Sequence, residues 1–166
     1  MKWSEVDQQQ CSVARSSAVL GDRWTLLILS DAFLGVRRFE DFKSRLGMSR
    51  ATLTDRLDTL VEHDVLKRVQ YREKPPRFEY RFTDKGLDLY PVLTTLVNWG
   101  DKYYSDKAGP PILRQHLNCG HDIQPVLACP DCGEPVHARN MRARKRPANT
   151  DFAPVVRGPI AKERGP

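Results

Sequence analysis

The segment from residue 37 to residue 83 limits the fold of this chain most strongly. Its apolar residues first follow a helical period, which predicts one helix over residues 38–46 and another over residues 50–63. Gly47 ends the first helix and Ser49 caps the second, so only a tight turn separates them. The apolar positions on the first helix are Phe39, Phe42 and Leu46. Two short helices joined in this way indicate a helix-turn-helix.

A pair of predicted strands follows, over residues 66–71 and 78–83. The second strand alternates apolar Phe78, Tyr80 and Phe82 with polar residues, which is typical of a half-buried strand. The loop between the strands carries two prolines and three basic residues, so it should project into solvent. The predicted fold class is therefore mainly α with a small β-hairpin (α+β), in the form of a winged helix-turn-helix.

Further helices flank this segment. We expect one over residues 11–20 and one over residues 23–34, the latter capped by Asp22. Thr83 or Asp84 caps a long helix that reaches about residue 104, in which Pro91 marks either a kink or a restart. The apolar face of that helix is wide, so either a second subunit or the N-terminal helices of the same chain must cover it.

The charge of the chain is unevenly distributed. The net charge is +6, yet residues 139–166 carry the whole excess. Residues 36–77 are nevertheless locally basic, and that local charge favours a nucleic-acid partner. No apolar run is long enough to cross a membrane, and the first residues lack the apolar region of a signal peptide, so we expect a cytoplasmic protein with no membrane partner.

The second helix of the pair is the predicted DNA-reading element. A helix of this length fits the major groove, where Arg50 can bind guanine and Thr52 can contact a base edge. Ser49 and the helix N-terminus suit a phosphate, as do the basic residues that begin the first helix and those on the hairpin tip. The candidate DNA contacts are Arg37, Arg38, Ser49, Arg50, Thr52, Thr54, Arg56, Arg72, Lys74 and Arg77. The alternative is a merely solvated face, since the acidic residues Asp55, Asp58 and Glu62 would repel phosphates.

Residues 11–100 resemble the HxlR-type winged helix-turn-helix regulators, a branch of the MarR-like group. The resemblance is carried by Cys11-Ser-Val-Ala, Gly21-Asp-Arg-Trp-Thr-Leu-Leu-Ile-Leu, Arg38-Phe-Glu-Asp-Phe, Leu53-Thr-Asp-Arg-Leu and Pro75-Pro-Arg-Phe-Glu-Tyr-Arg-Phe-Thr-Asp-Lys-Gly. It implies a homodimeric bacterial transcription factor that binds an inverted repeat, with the hairpin as a wing and the following helix in the dimer. The reading positions of the family match Ser49, Arg50, Thr52 and Arg56.

One thiol stands apart from the other three. Cys11 begins the first predicted helix, four residues before Arg15, and thiols in such settings ionise and react more readily. Some regulators that this chain resembles use a cysteine here to sense oxidants or electrophiles. Cys11 is thus a candidate redox sensor, with a small residue packing the first helix as the alternative.

The other cysteines have the spacing of a metal site. Cys129-Pro-Asp-Cys132-Gly has the form of a zinc knuckle, and His116-Leu-Asn-Cys119-Gly repeats its spacing. The predicted ligands of one structural zinc ion are therefore His116, Cys119, Cys129 and Cys132. His121 is an alternative to His116, and His137 is a less suitable one. The competing interpretations are a chance cluster and a disulfide.

These patterns divide the chain into three parts. Residues 1–108 form the winged helix-turn-helix domain for DNA binding and dimerisation, residues 112–138 a zinc-ribbon-like extension, and residues 139–166 a basic disordered tail. The tail either contacts DNA non-specifically or serves solubility. The leading function is a sequence-specific regulator of transcription, by default a repressor, whose operator and effector stay open. One alternative is a winged-helix protein–protein adaptor. An enzyme is a much less favoured alternative, because the sequence shows no acid–base pair, Ser/His/Asp set or phosphate-binding glycine loop.

Overall fold

A computed structural model describes residues 11–143 of the chain, which fall into one compact unit up to Leu96 and a second from Val97. The elements in chain order are α1 Ser12–Leu20, α2 Arg23–Phe33, α3 Phe39–Leu46, α4 Arg50–Glu62, β1 Leu66–Arg72, β2 Arg77–Phe82, α5 Asp84–Leu87 and α6 Tyr90–Tyr104. The mainly helical fold with one antiparallel hairpin agrees with the fold class predicted from sequence. Among the described helices, none has both the length and the apolarity that a bilayer span requires.

The core of the first unit lies where α2, α3 and α4 meet. Leu53, Leu57 and Leu60 recur on one face of α4, and all three side chains are fully buried. They pack with Ile28 of α2 and Phe42 of α3, which are equally inaccessible. Burial of each such side chain contributes about 1.5–3 kcal/mol, so this cluster fixes the angle between α3 and α4.

Side-chain and backbone caps set the ends of these helices where the sequence predicted them. The Asp22 carboxylate accepts a hydrogen bond of 2.8 Å from the backbone N–H of Trp24, at the start of α2. Gly47 ends α3 with a φ of 63°, in the left-handed region that favours glycine. Ser49 then caps α4 by accepting a 3.1 Å bond from the N–H of Thr52.

The hairpin, which we call the wing (β1 and β2), is tied to the residues before α3. Leu66 pairs with Phe82 at its base, and Leu66 is buried there. The backbone N–H of Tyr80 donates a 2.8 Å hydrogen bond to the carbonyl oxygen of Arg37. Arg38 and Glu79 form an isolated antiparallel bridge beside it, which the sequence did not predict.

The long helix expected after the wing is in fact two helices. Thr83 caps α5 by accepting a bond from the N–H of Gly86, as predicted. Residues 88–89 then interrupt the helix, and α6 begins at Tyr90. Pro91 explains the restart, because proline donates no backbone hydrogen bond and is tolerated only in the first turn of a helix.

An apolar stripe runs along the outside of α6. Val92, Leu96, Trp99 and Tyr103 recur at helical spacing, and between 46% and 60% of each is exposed. Only Leu93 and Thr94 of this helix are buried. Within the described part of the chain, therefore, each of these four side chains is left about half exposed.

The second unit has little apolar core. None of its described residues, 97–143, is buried. Asn98 donates a 3.0 Å hydrogen bond to the Pro125 carbonyl oxygen, and Arg114 lies 3.8 Å from the Asp101 carboxylate. Most of the predicted basic tail, from residue 144 onwards, lies outside the described residues.

Candidate nucleic-acid interface

The N-terminal turn of α4 presents small polar and basic side chains to solvent. The Ser49 hydroxyl lies 2.8 Å from the Thr52 hydroxyl, so these two side chains bind each other as well as capping the helix. The exposed face continues through Ala51 and Thr54. Ala51 was not among the predicted contacts, although alanine can pack against a thymine methyl group in the major groove.

Arg50 bridges the turn between α3 and α4. Its guanidinium donates a 2.6 Å hydrogen bond to the Glu40 carboxylate and lies 4.9 Å from the centre of the Phe39 ring. Both partners of the ion pair are mostly exposed, and such pairs contribute only about 0–1 kcal/mol. A bidentate bond to guanine is worth about 1–3 kcal/mol of discrimination. Arg50 can therefore exchange Glu40 for a base without a prohibitive cost.

Arg56 is less available than the sequence suggested. Only 30% of its side chain is exposed, and its guanidinium lies 2.5 Å from the Asp55 carboxylate and 4.0 Å from that of Asp22. Its Nε atom is buried and has no hydrogen-bond partner within residues 11–143. The side chain thus links α4 to the cap of α2, and a DNA contact by Arg56 stays a prediction.

Asp55 and Asp58 share the exposed face of α4 with Thr54. The pairing of Asp55 with Arg56 offsets one of these negative charges. A carboxylate at such a position can accept a hydrogen bond from cytosine, while it disfavours a nearby phosphate. The acidic residues therefore favour contact of this helix with base edges rather than with the DNA backbone.

Aromatic rings of the wing lie against basic side chains, one from the segment before α3 and one from the wing itself. The Arg38 guanidinium lies 4.6 Å from the centre of the Tyr71 ring, and that of Arg68 lies 4.6 Å from the centre of the Phe78 ring. Stacking of this kind orients an arginine without neutralising it. Arg68 was missing from the predicted contacts, and alternation could not have identified it, because Arg68 pairs with buried Tyr80 and yet is exposed.

At the tip of the wing, Arg72 donates a 3.1 Å hydrogen bond to the carbonyl oxygen of Lys74. Arg72, Lys74 and Arg77 are all exposed there, as predicted. Arg77 and Arg38 line one cleft of about 450 Å³ between the wing and the start of α3, so the fold brings together two side chains that are far apart in sequence. Arg37, in contrast, is only partly exposed and lines a separate cleft with Arg81.

Not every basic residue of this region can face DNA. Arg45 binds Asp31 through two hydrogen bonds of 3.0 and 3.1 Å, which tie α3 to α2. The hydrogen bond to Asp31, followed by the attraction of its charge, raises the pKa of Arg45 above its usual value. The local positive charge counted in the sequence therefore overstates the charge that is free to meet phosphates.

Cys11 occupies the N-cap position of α1 and is partly exposed. Its backbone carbonyl accepts a 3.1 Å hydrogen bond from the N–H of Arg15, and its side chain caps nothing. A role in sensing stays a prediction.

The predicted metal ligands lie in the second unit. Nδ1 of His116 is 3.2 Å from Sγ of Cys119. The backbone N–H groups of Cys132 and Asp131 donate to Sγ of Cys129 and hold the pKa of that thiol below its ordinary value. No three His, Cys, Asp or Glu side chains come together at one metal-binding point in the described range, so the complete site stays a prediction.

Comparisons with known proteins agree with this geometry. A family model described as HxlR-like helix-turn-helix matches residues 19–108. An uncharacterised HTH-type transcriptional regulator of Mycobacterium tuberculosis is 46% identical over 136 residues, which are 82% of this chain and 86% of that protein. An alignment of that length extends past the end of the family model.

Two solved structures are also similar. A crystal structure of PA1607, described as a candidate transcription factor, is 35% identical and covers 86% of this chain and 99% of its own, with a TM-score of 0.75. The oxidised form of the redox regulator HypR is 26% identical and covers 58% of this chain and all of its own, with a TM-score of 0.54. The family and these relatives are regulators of transcription rather than enzymes, which confirms the prediction that the chain is not an enzyme.

Proposed function

Because the chain belongs to the HxlR-like helix-turn-helix family of transcriptional regulators, we propose that it represses transcription as a homodimer on an inverted-repeat DNA operator. Helix α4 enters the major groove, and the wing contacts the flanking backbone or minor groove. The observation that carries the proposal is the exposed N-terminal turn of α4 beside a wing whose tip is basic. Such a dimer represses by occupying a site that the polymerase needs, inside the cytoplasm where the DNA lies.

Arg50 supplies the sequence preference. In the free protein its guanidinium is held by Glu40 and Phe39, which limits its freedom before DNA arrives. On the operator the same group turns to a guanine, and the fixed starting position lowers the entropy lost on binding. Arg72, Lys74 and Arg77 add phosphate contacts that strengthen binding to any sequence.

The apolar stripe of α6 supports the dimer. Val92, Leu96, Trp99 and Tyr103 form a contiguous face that a monomer would leave in water. A second copy of the chain covers the same face by twofold symmetry, and the symmetry of the protein then matches that of an inverted repeat. Introducing a carboxylate with Leu96→Glu should shift the protein to monomer in light scattering and weaken operator binding.

Selection of bound sequences from a random pool of duplexes tests the function directly. The wild-type protein should enrich an inverted repeat. The Arg50→Ala variant should lose the preference for guanine at one position of each half-site, at a cost of about 1–3 kcal/mol. Arg15→Ala removes the same charge from exposed α1 and serves as the control.

The outcomes separate the alternatives. Enrichment of the same repeat by Arg50→Ala and wild type would remove the role given to Arg50. Absence of duplex binding even at low salt would select the protein–protein adaptor, the other function that a winged helix can serve.

Sensing through Cys11 is a second property that we propose. Its support is the partial exposure of the thiol at the start of α1 and the similarity to HypR, a redox regulator solved in oxidised and reduced forms. Mild oxidant should change operator affinity in the wild-type protein, and Cys11→Ser should abolish that response. An equal response in both proteins would assign the effect to another residue.

The C-terminal segment, residues 112–138, is not needed for these steps. We propose that it is a zinc-ribbon-like extension of the regulator, held by one structural metal ion. The paired spacing of His116 with Cys119 and of Cys129 with Cys132 supports this assignment.

A further inference from the structure

The extension contains two turns with the same pattern of backbone hydrogen bonds. In the first, residues 114–123, His116 donates to the His121 carbonyl oxygen at 2.9 Å, and Gly120 donates to that of His116 at 2.7 Å. An outer bond of 2.8 Å, from the N–H of Ile123 to the carbonyl oxygen of Arg114, closes the turn. We call this turn the first knuckle.

The second knuckle, residues 127–136, repeats each of these bonds. Cys129 donates to the Glu134 carbonyl oxygen at 2.9 Å, Gly133 donates to that of Cys129 at 2.9 Å, and Val136 closes the turn on Leu127 at 2.8 Å. The repeat makes Cys129 correspond to His116, Cys132 to Cys119 and Gly133 to Gly120. Each knuckle therefore offers two ligand side chains at equivalent positions.

Glycines allow both knuckles to turn tightly. Gly120 has a φ of 71° and Gly133 a φ of 73°, values that other residues rarely adopt. A side chain other than hydrogen would strain the turn at the residue that follows Cys119 or Cys132. The shared conformation favours a common purpose for the two turns rather than a chance repetition.

Apolar burial does not account for the order of this segment. No residue from 112 to 138 is buried, and Leu117 and Val126 are 87% and 77% exposed. The backbone hydrogen bonds described above, three in each knuckle, are each worth only about 0.5–1.5 kcal/mol net, too little to hold the two turns together. Small segments without a core are usually stabilised by a disulfide or a metal ion, and Cys119, Cys129 and Cys132 are all free thiols.

We propose that His116, Cys119, Cys129 and Cys132 bind one Zn²⁺ ion and join the two knuckles. The distance between Nδ1 of His116 and Sγ of Cys119, 3.2 Å, is close to the value of about 3.6 Å that zinc–ligand bond lengths and a tetrahedral angle require. His121 uses its backbone carbonyl in the first knuckle, and it corresponds to Glu134 rather than to a cysteine of the second. The geometry thus favours His116 over His121 as the fourth ligand.

Four protein ligands leave no position for water, so the ion is structural and not catalytic. Three sulfur atoms and one nitrogen atom in a tetrahedral arrangement suit zinc better than magnesium, calcium or manganese. Binding of one ion by all four ligands requires the two knuckles to approach each other, because no three such side chains meet at one point among the described residues. The metal ion would therefore join the two knuckles through their ligand side chains.

Metal analysis of the full chain is the first test. Protein purified under reducing conditions and dialysed without chelator should carry about one zinc ion per chain, measured by mass spectrometry. Cys129→Ser, Cys132→Ser and Cys119→Ser should each lose the ion, and His116→Ala should weaken its binding severalfold or more. His121→Ala is the matched control and should keep it.

Three results would overturn the proposal or its ligand set. Wild-type protein with no stoichiometric metal, or with iron in place of zinc, would overturn the zinc site itself. Loss of the ion in His121→Ala with retention in His116→Ala would overturn the choice of histidine. Cobalt titration gives a second readout, because the thiolate-to-cobalt absorption of the wild type should fall by about a third in a variant that still binds with one thiolate fewer.

Limited proteolysis shows whether the ion joins the knuckles. Removal of metal with a chelator should open cleavage sites within residues 112–138, and added Zn²⁺ should close them again. Equal cleavage rates with and without metal would refute the structural role. None of these measurements involves DNA, so loss of operator binding by a protein that retains zinc would contradict only the proposed function.

Discussion

Gly86 is where the wing meets the helix that follows it, and this contact leads to a sharp prediction. A β-carbon added to Gly86 would lie inside van der Waals contact of the Val65 carbonyl oxygen and 2.8 Å from Cδ1 of Phe82. The Val65 oxygen cannot move freely, because it accepts hydrogen bonds from the backbone N–H and the hydroxyl of Thr83, at 3.2 and 3.3 Å. The Gly86→Ala substitution should therefore force α5 away from Val65, the residue that precedes β1.

The size of the effect follows from two opposing terms. Extra volume in a packed contact costs about 1–3 kcal/mol. Alanine also lowers the conformational entropy of the unfolded chain relative to glycine, which stabilises the folded state by about 0.4–1 kcal/mol. We expect a net loss of about 1–2 kcal/mol, or a fall in Tm of roughly 4–15 °C for a domain of this size.

Gly100 provides the matched control, because it lies in α6 and a β-carbon there would meet nothing within 4 Å. Gly100→Ala should raise stability by about 0.5–1 kcal/mol, as in other helix interiors. Thermal and urea unfolding of the full chain, followed by circular dichroism, measures both. Equal shifts of the two variants in the same direction would show that the close approach at Gly86 is not a real constraint.

Three further predictions follow from single contacts. Ser49→Ala removes the cap of α4 and should lower the free energy of unfolding by about 0.5–2 kcal/mol in urea titration, with weaker DNA binding. Burial raises the pKa of Tyr80, so the hydroxyl resists ionisation in the folded protein, and the free energy of unfolding falls as the pH rises past the ordinary tyrosine value of 10.0. Tyr80→Phe should reduce that fall when unfolding is measured against pH. Deletion of residues 141–166, if the tail contacts DNA, should lower the salt dependence of binding in filter or fluorescence assays while sparing sequence preference.

The helix ends could be predicted from sequence because their signals are local. Asp22, Gly47 and Ser49 act on backbone groups only a few residues away, and the observed bounds lie within about one residue of those expected. The strands were found as readily, since their alternation is also a short-range property. Pro91 left both a kink and a restart open, and the structure shows the restart, with α6 beginning at Tyr90.

The candidate DNA-binding site was less predictable, because its side chains pair with residues on other helices and strands. Arg56 meets Asp22, and Arg45 meets Asp31, in pairs that sequence spacing does not reveal. The same is true of the bridge between Arg38 and Glu79. A list of basic residues from sequence therefore contained both exposed groups and groups whose charge is used to hold the fold.

In the dimer proposed above, the bond from Tyr80 to Arg37 has a consequence for the length of DNA that one subunit would span. Because the hairpin is anchored at that point to the segment preceding α3, the inserted helix and the flanking finger cannot change their separation independently. Each half of the proposed operator would then have to supply contacts at a fixed interval, and an extra base pair inside it would push one contact out of reach. The contact between the two subunits of the proposed dimer would instead determine whether extra base pairs between the halves are tolerated.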